Sequence, residues 1–166
     1  MRDQLRGRVY AAESQVRAAV ERAAAGGGVD FFGSMLPVPQ ERRFSDFAEV
    51  ASYIAGVLAD ERLRGAFGAI DAPGLRARAG EAEAHYEFDT AVIALPQGGG
   101  WAWRELVILH ELAHHITALV HPDAASHGPE FASVYCRLVE WQLGGAASLL
   151  LRAALDGEGV VVGGTG

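Results

Sequence analysis

One short stretch, VILHELAHHI at 107–116, constrains this chain more than any other part of its 166 residues. Its apolar residues recur at helical spacing, and it contains the pattern His110-Glu111-x-x-His114. At about 100° per residue, the two histidines lie on one face of a helix, one turn apart, so both imidazoles can bind the same metal ion. Glu111 points about 100° away from His110, toward the open side of such a metal. The pattern therefore predicts a metal-binding helix with a carboxylate placed to accept a proton from metal-bound water.

Chance does not readily produce this pattern. With 6 His and 13 Glu in 166 residues, the expected number of such matches is about 0.02. A helix that contains these residues by coincidence is therefore the weaker interpretation. A zinc-binding helix is the stronger one.

A catalytic zinc ion usually has three protein ligands and one water, so a third ligand is expected elsewhere in the chain. The zincin pattern with a third histidine six residues after the second is excluded, because no histidine stands there. His121 would lie about 10 Å beyond His114 along a continuing helix. His127 is the best candidate, since it follows a loop that can reverse the chain and precedes a helix start. Glu130 and Glu140 are possible carboxylate ligands on that next helix.

The motifs HELAHH and HGPEF together resemble the SprT-like zinc metallopeptidases, the group that includes the Spartan-type proteases. The chain is most similar to small bacterial metallohydrolases with little beyond the catalytic core, and the similarity covers residues 84–142. The resemblance implies a minimal zincin-like fold with one zinc ion, the metal ligands His110, His114 and His127, and the general base Glu111. The DNA-binding modules of the Spartan-type relatives have no counterpart in this sequence.

The remaining pattern indicates one α+β domain over residues 1–157, with the catalytic core at 65–143 and a flexible tail at 158–166. The predicted helices lie at 3–24, 46–59, 103–119, 129–143 and 146–155. Between residues 65 and 95, the runs AFGAI, LRARA, AHYEF and AVIAL predict a small antiparallel or mixed sheet. The segment VDFFGSMLPVPQERR is expected to be a loop, and residues 1–45 receive no functional assignment.

Composition and charge narrow the expected partners. The formal charge is −7, and the 14 arginines are scattered among carboxylates rather than clustered, so nucleic acid is not an expected partner. The single cysteine, Cys136, excludes a disulfide scaffold, and the N-terminus lacks an apolar signal segment, so a cytoplasmic protein is expected. No stretch approaches 18 uninterrupted apolar residues, so no membrane span is expected. The oligomeric state stays open.

Several other residues have both a functional and a structural interpretation. His115 is expected to pack or to reach a surface partner rather than to bind metal. One of His85 and Tyr86 faces the metal cleft if their strand forms its rim. Tyr135 either donates a hydrogen bond to an oxyanion or packs in the core. Glu130 either holds the outer nitrogen of a ligand histidine or lies at a helix N-terminus for electrostatic reasons.

These patterns favour a zinc-dependent metallohydrolase, expected to be a metallopeptidase that cleaves peptide bonds in a peptide or protein substrate. Glu111 would take a proton from zinc-bound water and later deliver it to the leaving amine. An edge strand, AHYEF or AVIAL, would bind the substrate backbone by strand addition. Two alternatives stay open: a zinc-binding sensor or interaction module without proteolysis, and a hydrolase of a non-peptide amide or ester.

Overall fold

The computed structural model describes residues 3–26, 28–80 and 82–163, and within them it confirms the α+β class. The helices are α1 (Arg6–Gly26), α2 (Phe47–Ala59), α3 (Glu61–Phe67), α4 (Glu105–Val120), α5 (Pro129–Leu143) and α6 (Gly145–Gly157). The strands are β1 (Val29–Phe31), β2 (Ser34–Leu36), β3 (Gly74–Arg78), β4 (His85–Glu87) and β5 (Val92–Pro96). Residues 164–166, the end of the predicted tail, lie outside the described residues.

The chain divides into two compact units. One unit is Arg42–Asp123, and it contains α2, α3, the sheet of β3, β4 and β5, and α4. The other combines the described residues of Met1–Glu41 and Ala124–Gly166, and it contains α1, β1, β2, α5 and α6. In the part of the chain that the structure describes, no helix has the length and apolar character needed to cross a membrane.

The sheet of the unit Arg42–Asp123 is mixed. Its strand order is β3-β5-β4, with β5 parallel to β3 and antiparallel to β4. β5 has a strand on each side, and its residues Ile93, Ala94 and Leu95 are fully buried. The prediction that AVIAL could serve as an edge strand is therefore wrong, whereas β4, from the run AHYEF, is an outer strand of this sheet.

The run AFGAI does not form the predicted strand. Its first residues end helix α3 at Phe67, and its last residues lie in the connection to β3. Asp60 starts this helix by accepting a hydrogen bond from the backbone N–H of Arg62 at 2.9 Å. A short apolar run has no periodicity that distinguishes the end of a helix from a strand. Here the helix cap at Asp60, upstream of the run, favours the helix.

A hairpin replaces part of the predicted loop 29–43. Strands β1 and β2 pair antiparallel, with Phe31 opposite Ser34. The two turn residues, Phe32 and Gly33, have φ values of 49° and 83°, as a tight hairpin turn requires. Asp30 supports the turn by accepting a hydrogen bond from the N–H of Gly33 at 2.8 Å. Phenylalanine at the first turn position gave no sequence signal, because bulky residues rarely adopt positive φ.

The start of α4 is anchored within its own unit. Glu105 is buried and accepts hydrogen bonds from the hydroxyl of Tyr53 at 2.7 Å and the backbone N–H of Arg42 at 2.8 Å. Just before the helix, the indole of Trp103 donates to the carbonyl of Pro96 at the end of β5, at 2.8 Å. These bonds tie α4 to α2 and to the sheet, so the histidines on the helix have a defined position within the unit.

In the other unit, α6 packs against both α1 and α5. The apolar residues Val9, Val16 and Val20 of α1 are all buried, and α1 ends at Gly26, two residues after the predicted end. The hydroxyl of Ser148 on α6 donates to the carbonyl of Cys136 on α5 at 3.0 Å. Cys136 is buried, and this burial raises the pKa of its thiol to about 12, so it stays protonated.

Candidate metal centre

The paired histidines of α4 face each other. The Nε2 atoms of His110 and His114 lie 3.1 Å apart, and their ring planes are inclined by 75°. Both rings are buried. Two nitrogen ligands of one tetrahedral zinc ion, each about 2.0–2.1 Å from the metal, lie about 3.3 Å apart. The separation therefore fits two ligands of one ion, and it is also a hydrogen-bonding distance.

The helix itself sets this arrangement. Residues four apart lie one above the other on an α-helix, so the two rings are neighbours as soon as α4 forms. Every residue of α4 from Ile108 to Thr117 is buried, so the helix is packed around its whole circumference. Rotation of α4 would disrupt this close packing, which therefore holds the histidine face in place.

Glu111, the predicted general base, is also buried, with only 4% of its surface exposed. Removing a carboxylate from water costs several kcal/mol unless charges or hydrogen bonds compensate. A divalent cation held by the neighbouring His110 and His114 would contribute such compensation.

His115 lies in different surroundings from His114. Its Nε2 is 2.7 Å from the carbonyl oxygen of Asp71, and its Nδ1 is 3.0 Å from the hydroxyl of Tyr86. Because a carbonyl only accepts, Nε2 carries the hydrogen, and Nδ1 then accepts from Tyr86. Burial lowers the pKa of His115, and the hydrogen bond to Asp71 opposes this only in part. Both ring nitrogens are engaged, which agrees with the expectation that His115 is not a ligand.

Of the two β4 residues that the sequence singled out, Tyr86 is the inward-facing one. Tyr86 is buried, whereas His85 is exposed, as expected for alternating residues of a strand. The Tyr86 ring lies parallel to that of His114, with centroids 6.4 Å apart, and burial raises the pKa of its hydroxyl. Tyr86 therefore contacts both the candidate ligand and its neighbour His115.

His127 belongs to the other unit and lies two residues before the start of α5. The turn before the helix is tight, because the N–H of Gly128 donates to the carbonyl of Ala125 at 2.9 Å. A Cβ at Gly128 would lie only 3.2 Å from two atoms of Ala125, so a larger residue there would require Ala125 to shift by a few tenths of an ångström. The His127 ring is buried, with the rings of Tyr10 and Phe131 at centroid distances of 6.0 and 5.0 Å.

A carboxylate that the sequence did not indicate holds His127. Oδ2 of Asp3 lies 2.5 Å from Nδ1 of His127. Partial burial raises the pKa of Asp3, but the hydrogen bond and the charge of His127 outweigh this and lower it below its ordinary value. Glu130, the candidate proposed from the sequence for such a role, is half-buried at the start of α5.

The three predicted ligands His110, His114 and His127 are all buried, and each has a ring nitrogen that could bind a metal ion. His121 is exposed at the C-cap of α4, and Glu140 is exposed near the end of α5. Imidazoles are preferred ligands of zinc, so the chemistry of the donor set fits that metal.

Tyr135 lies in the core of its unit. Its ring is fully buried on α5 and contacts that of Phe131. Burial raises the pKa of its hydroxyl well above the ordinary value, and a hydrogen bond with the buried Glu13 of α1 acts in the same direction. These contacts favour the core interpretation of Tyr135 over the oxyanion interpretation.

Comparison of the chain with protein-family models, with curated proteins and with solved structures found no match. The resemblance to SprT-like metallopeptidases therefore stays a prediction from the motifs HELAHH and HGPEF.

Proposed function

We propose that this protein is a zinc-dependent metallohydrolase with a zincin-like catalytic core. The observation that carries the proposal is the buried pair His110 and His114, whose Nε2 atoms lie 3.1 Å apart, with the buried carboxylate of Glu111 one residue after the first. The buried His127 is the third ligand in this proposal. Three imidazoles leave a tetrahedral zinc ion with one open position, which is typical of a catalytic rather than a structural site.

The side chains have separate roles in this proposal. His110, His114 and His127 would hold the metal as neutral imidazoles. A zinc ion there would supply Lewis acidity and would lower the pKa of water at its open position. Glu111 accepts the proton of the attacking water and then donates it to the leaving group. Burial of Glu111 keeps bulk water away from this proton.

We further propose that the scissile bond is a peptide bond. The resemblance to SprT-like metallopeptidases supports this choice, and so does the outer position of β4 in its sheet. An outer strand can pair with an extended peptide through main-chain hydrogen bonds, which select for backbone rather than for side chains. We therefore expect weak sequence selectivity among peptide substrates.

The test of the proposal is the Glu111→Gln variant, which removes the proton acceptor and preserves the size of the side chain. Zinc content, measured by elemental analysis, should persist, while turnover of a peptide library should fall by about 10²- to 10⁴-fold. Glu140→Gln on the exposed part of α5 is the matched control and should change neither quantity. Full turnover in Glu111→Gln would contradict the role of Glu111 as general base. A zinc-binding interaction module would bind zinc and show no turnover in either the wild type or the variant.

A further inference from the structure

We propose that Asp3 is a positioning residue for the third metal ligand and that it links metal binding to the start of helix α1. The inference rests on the proposed function, because it concerns how His127 presents a nitrogen to the metal. It adds a residue 124 positions away in the sequence to the candidate centre.

The hydrogen bond defines which nitrogen of His127 is available. A carboxylate only accepts hydrogen bonds, so Oδ2 of Asp3 requires the hydrogen of the imidazole to be on Nδ1. In the neutral ring, the lone pair is then on Nε2. Carboxylates that bind the outer nitrogen of a ligand histidine in this way fix the ring orientation and increase its basicity.

The other oxygen of the same carboxylate is bound to α1. Oδ1 of Asp3 accepts hydrogen bonds from the backbone N–H groups of Leu5 and Arg6, at 3.1 and 3.2 Å. Leu5 is the residue before α1 and Arg6 is its first residue, so their N–H groups have no acceptor within the helix. The carboxylate of Asp3 therefore caps the start of the helix through Oδ1 and accepts a hydrogen bond from His127 through Oδ2.

The surroundings of His127 restrict its ring to the orientation with Nδ1 toward Asp3. The ring is 5% exposed and lies against Tyr10 of α1 and Phe131 of α5. Rotation of the ring by half a turn would place a carbon against Oδ2 of Asp3. The packing and the hydrogen bond therefore select the same orientation.

The variant Asp3→Asn separates the two roles of this side chain, which are to cap the start of α1 and to accept from Nδ1 of His127. Asparagine has one oxygen, which can still accept from the helix start, and its amide nitrogen cannot accept from Nδ1 of His127. We expect the zinc dissociation constant of the full chain to rise about 10- to 100-fold, measured by competition with a chromophoric chelator. The cobalt form should show a matching change in its visible absorption spectrum.

The matched control is Asp46→Asn. Asp46 caps α2 by accepting from the N–H of Glu49 at 2.8 Å, and asparagine is an equally good cap. Its zinc affinity should remain within about twofold of the wild type, since a comparable helix cap is changed without touching His127.

A second readout needs no metal. Nitrogen-15 NMR of the metal-free wild type should show His127 protonated at Nδ1 when neutral, and Asp3→Asn should lose this preference. A wild-type His127 protonated at Nε2 would overturn the role of Asp3, even if the variant failed to fold. Equal zinc affinities of the wild type and Asp3→Asn would overturn that role alone. A wild type that binds no zinc would overturn the proposed function and the role of Asp3 with it.

Discussion

On helix α4, the neighbouring residues His114 and His115 lie on different sides and have different roles. On one side, Nε2 of His114 faces Nε2 of His110 at 3.1 Å. On the other side, both nitrogens of His115 are hydrogen-bonded, one to the hydroxyl of Tyr86 and one to the carbonyl of Asp71. All three rings are buried, so burial does not distinguish a candidate ligand from a structural histidine. The hydrogen-bond partners of the ring nitrogens make that distinction.

The largest effect that tests this comparison is expected for His114→Ala. Removal of one imidazole of the pair should reduce the zinc content from about one ion per chain to nearly none, measured by elemental analysis. The stabilisation of the wild type by added zinc, about 2.7 kcal/mol at 100 times the dissociation constant, should disappear in thermal unfolding. Retention of zinc by this variant would contradict the assignment of the His110 side as the metal side.

The next effect is expected for His115→Leu, which leaves the hydroxyl of Tyr86 and the carbonyl of Asp71 without their partner. Tyr86 is buried, and its unpartnered hydroxyl costs about 1–3 kcal/mol, whereas Asp71 is exposed and its carbonyl can bind water; the free energy of unfolding in urea should therefore fall by about 1–3 kcal/mol. Zinc content should stay at the wild-type level. Loss of zinc at unchanged stability would reverse the roles of the two sides.

The smallest effect is expected for Tyr86→Phe, which removes one hydroxyl and keeps the ring that lies beside His114. The free energy of unfolding should fall by about 1 kcal/mol, with zinc content unchanged, since one neutral hydrogen bond is lost. His85→Ala, at the exposed position next to it on β4, is the control and should remain within about 0.5 kcal/mol of the wild type. If Tyr86→Phe lowers the free energy of unfolding no more than the control does, the hydrogen bond to His115 contributes nothing to stability.

The elements with strong periodicity were predictable. Helix α5 matches its predicted bounds, because Gly128 and Pro129 mark its start and Gly144 follows its end. Helix α4 begins at Glu105, two residues after the predicted start, since the segment before it is bound to β5 through Trp103. The hairpin at 29–36 was missed because its turn uses phenylalanine at a positive φ, which is not a residue pattern that predicts turns.

The relation between His110 and His114 follows from the sequence by itself, because residues four apart on a helix are neighbours whatever the rest of the chain does. The partners of the other two rings were decided by the tertiary structure. Tyr86 lies 29 residues from His115, and Asp3 lies 124 residues from His127. No local periodicity connects such positions, since they meet only after strands and helices have packed. Helical geometry thus determines the pair, and long-range packing determines which nitrogen each remaining histidine presents.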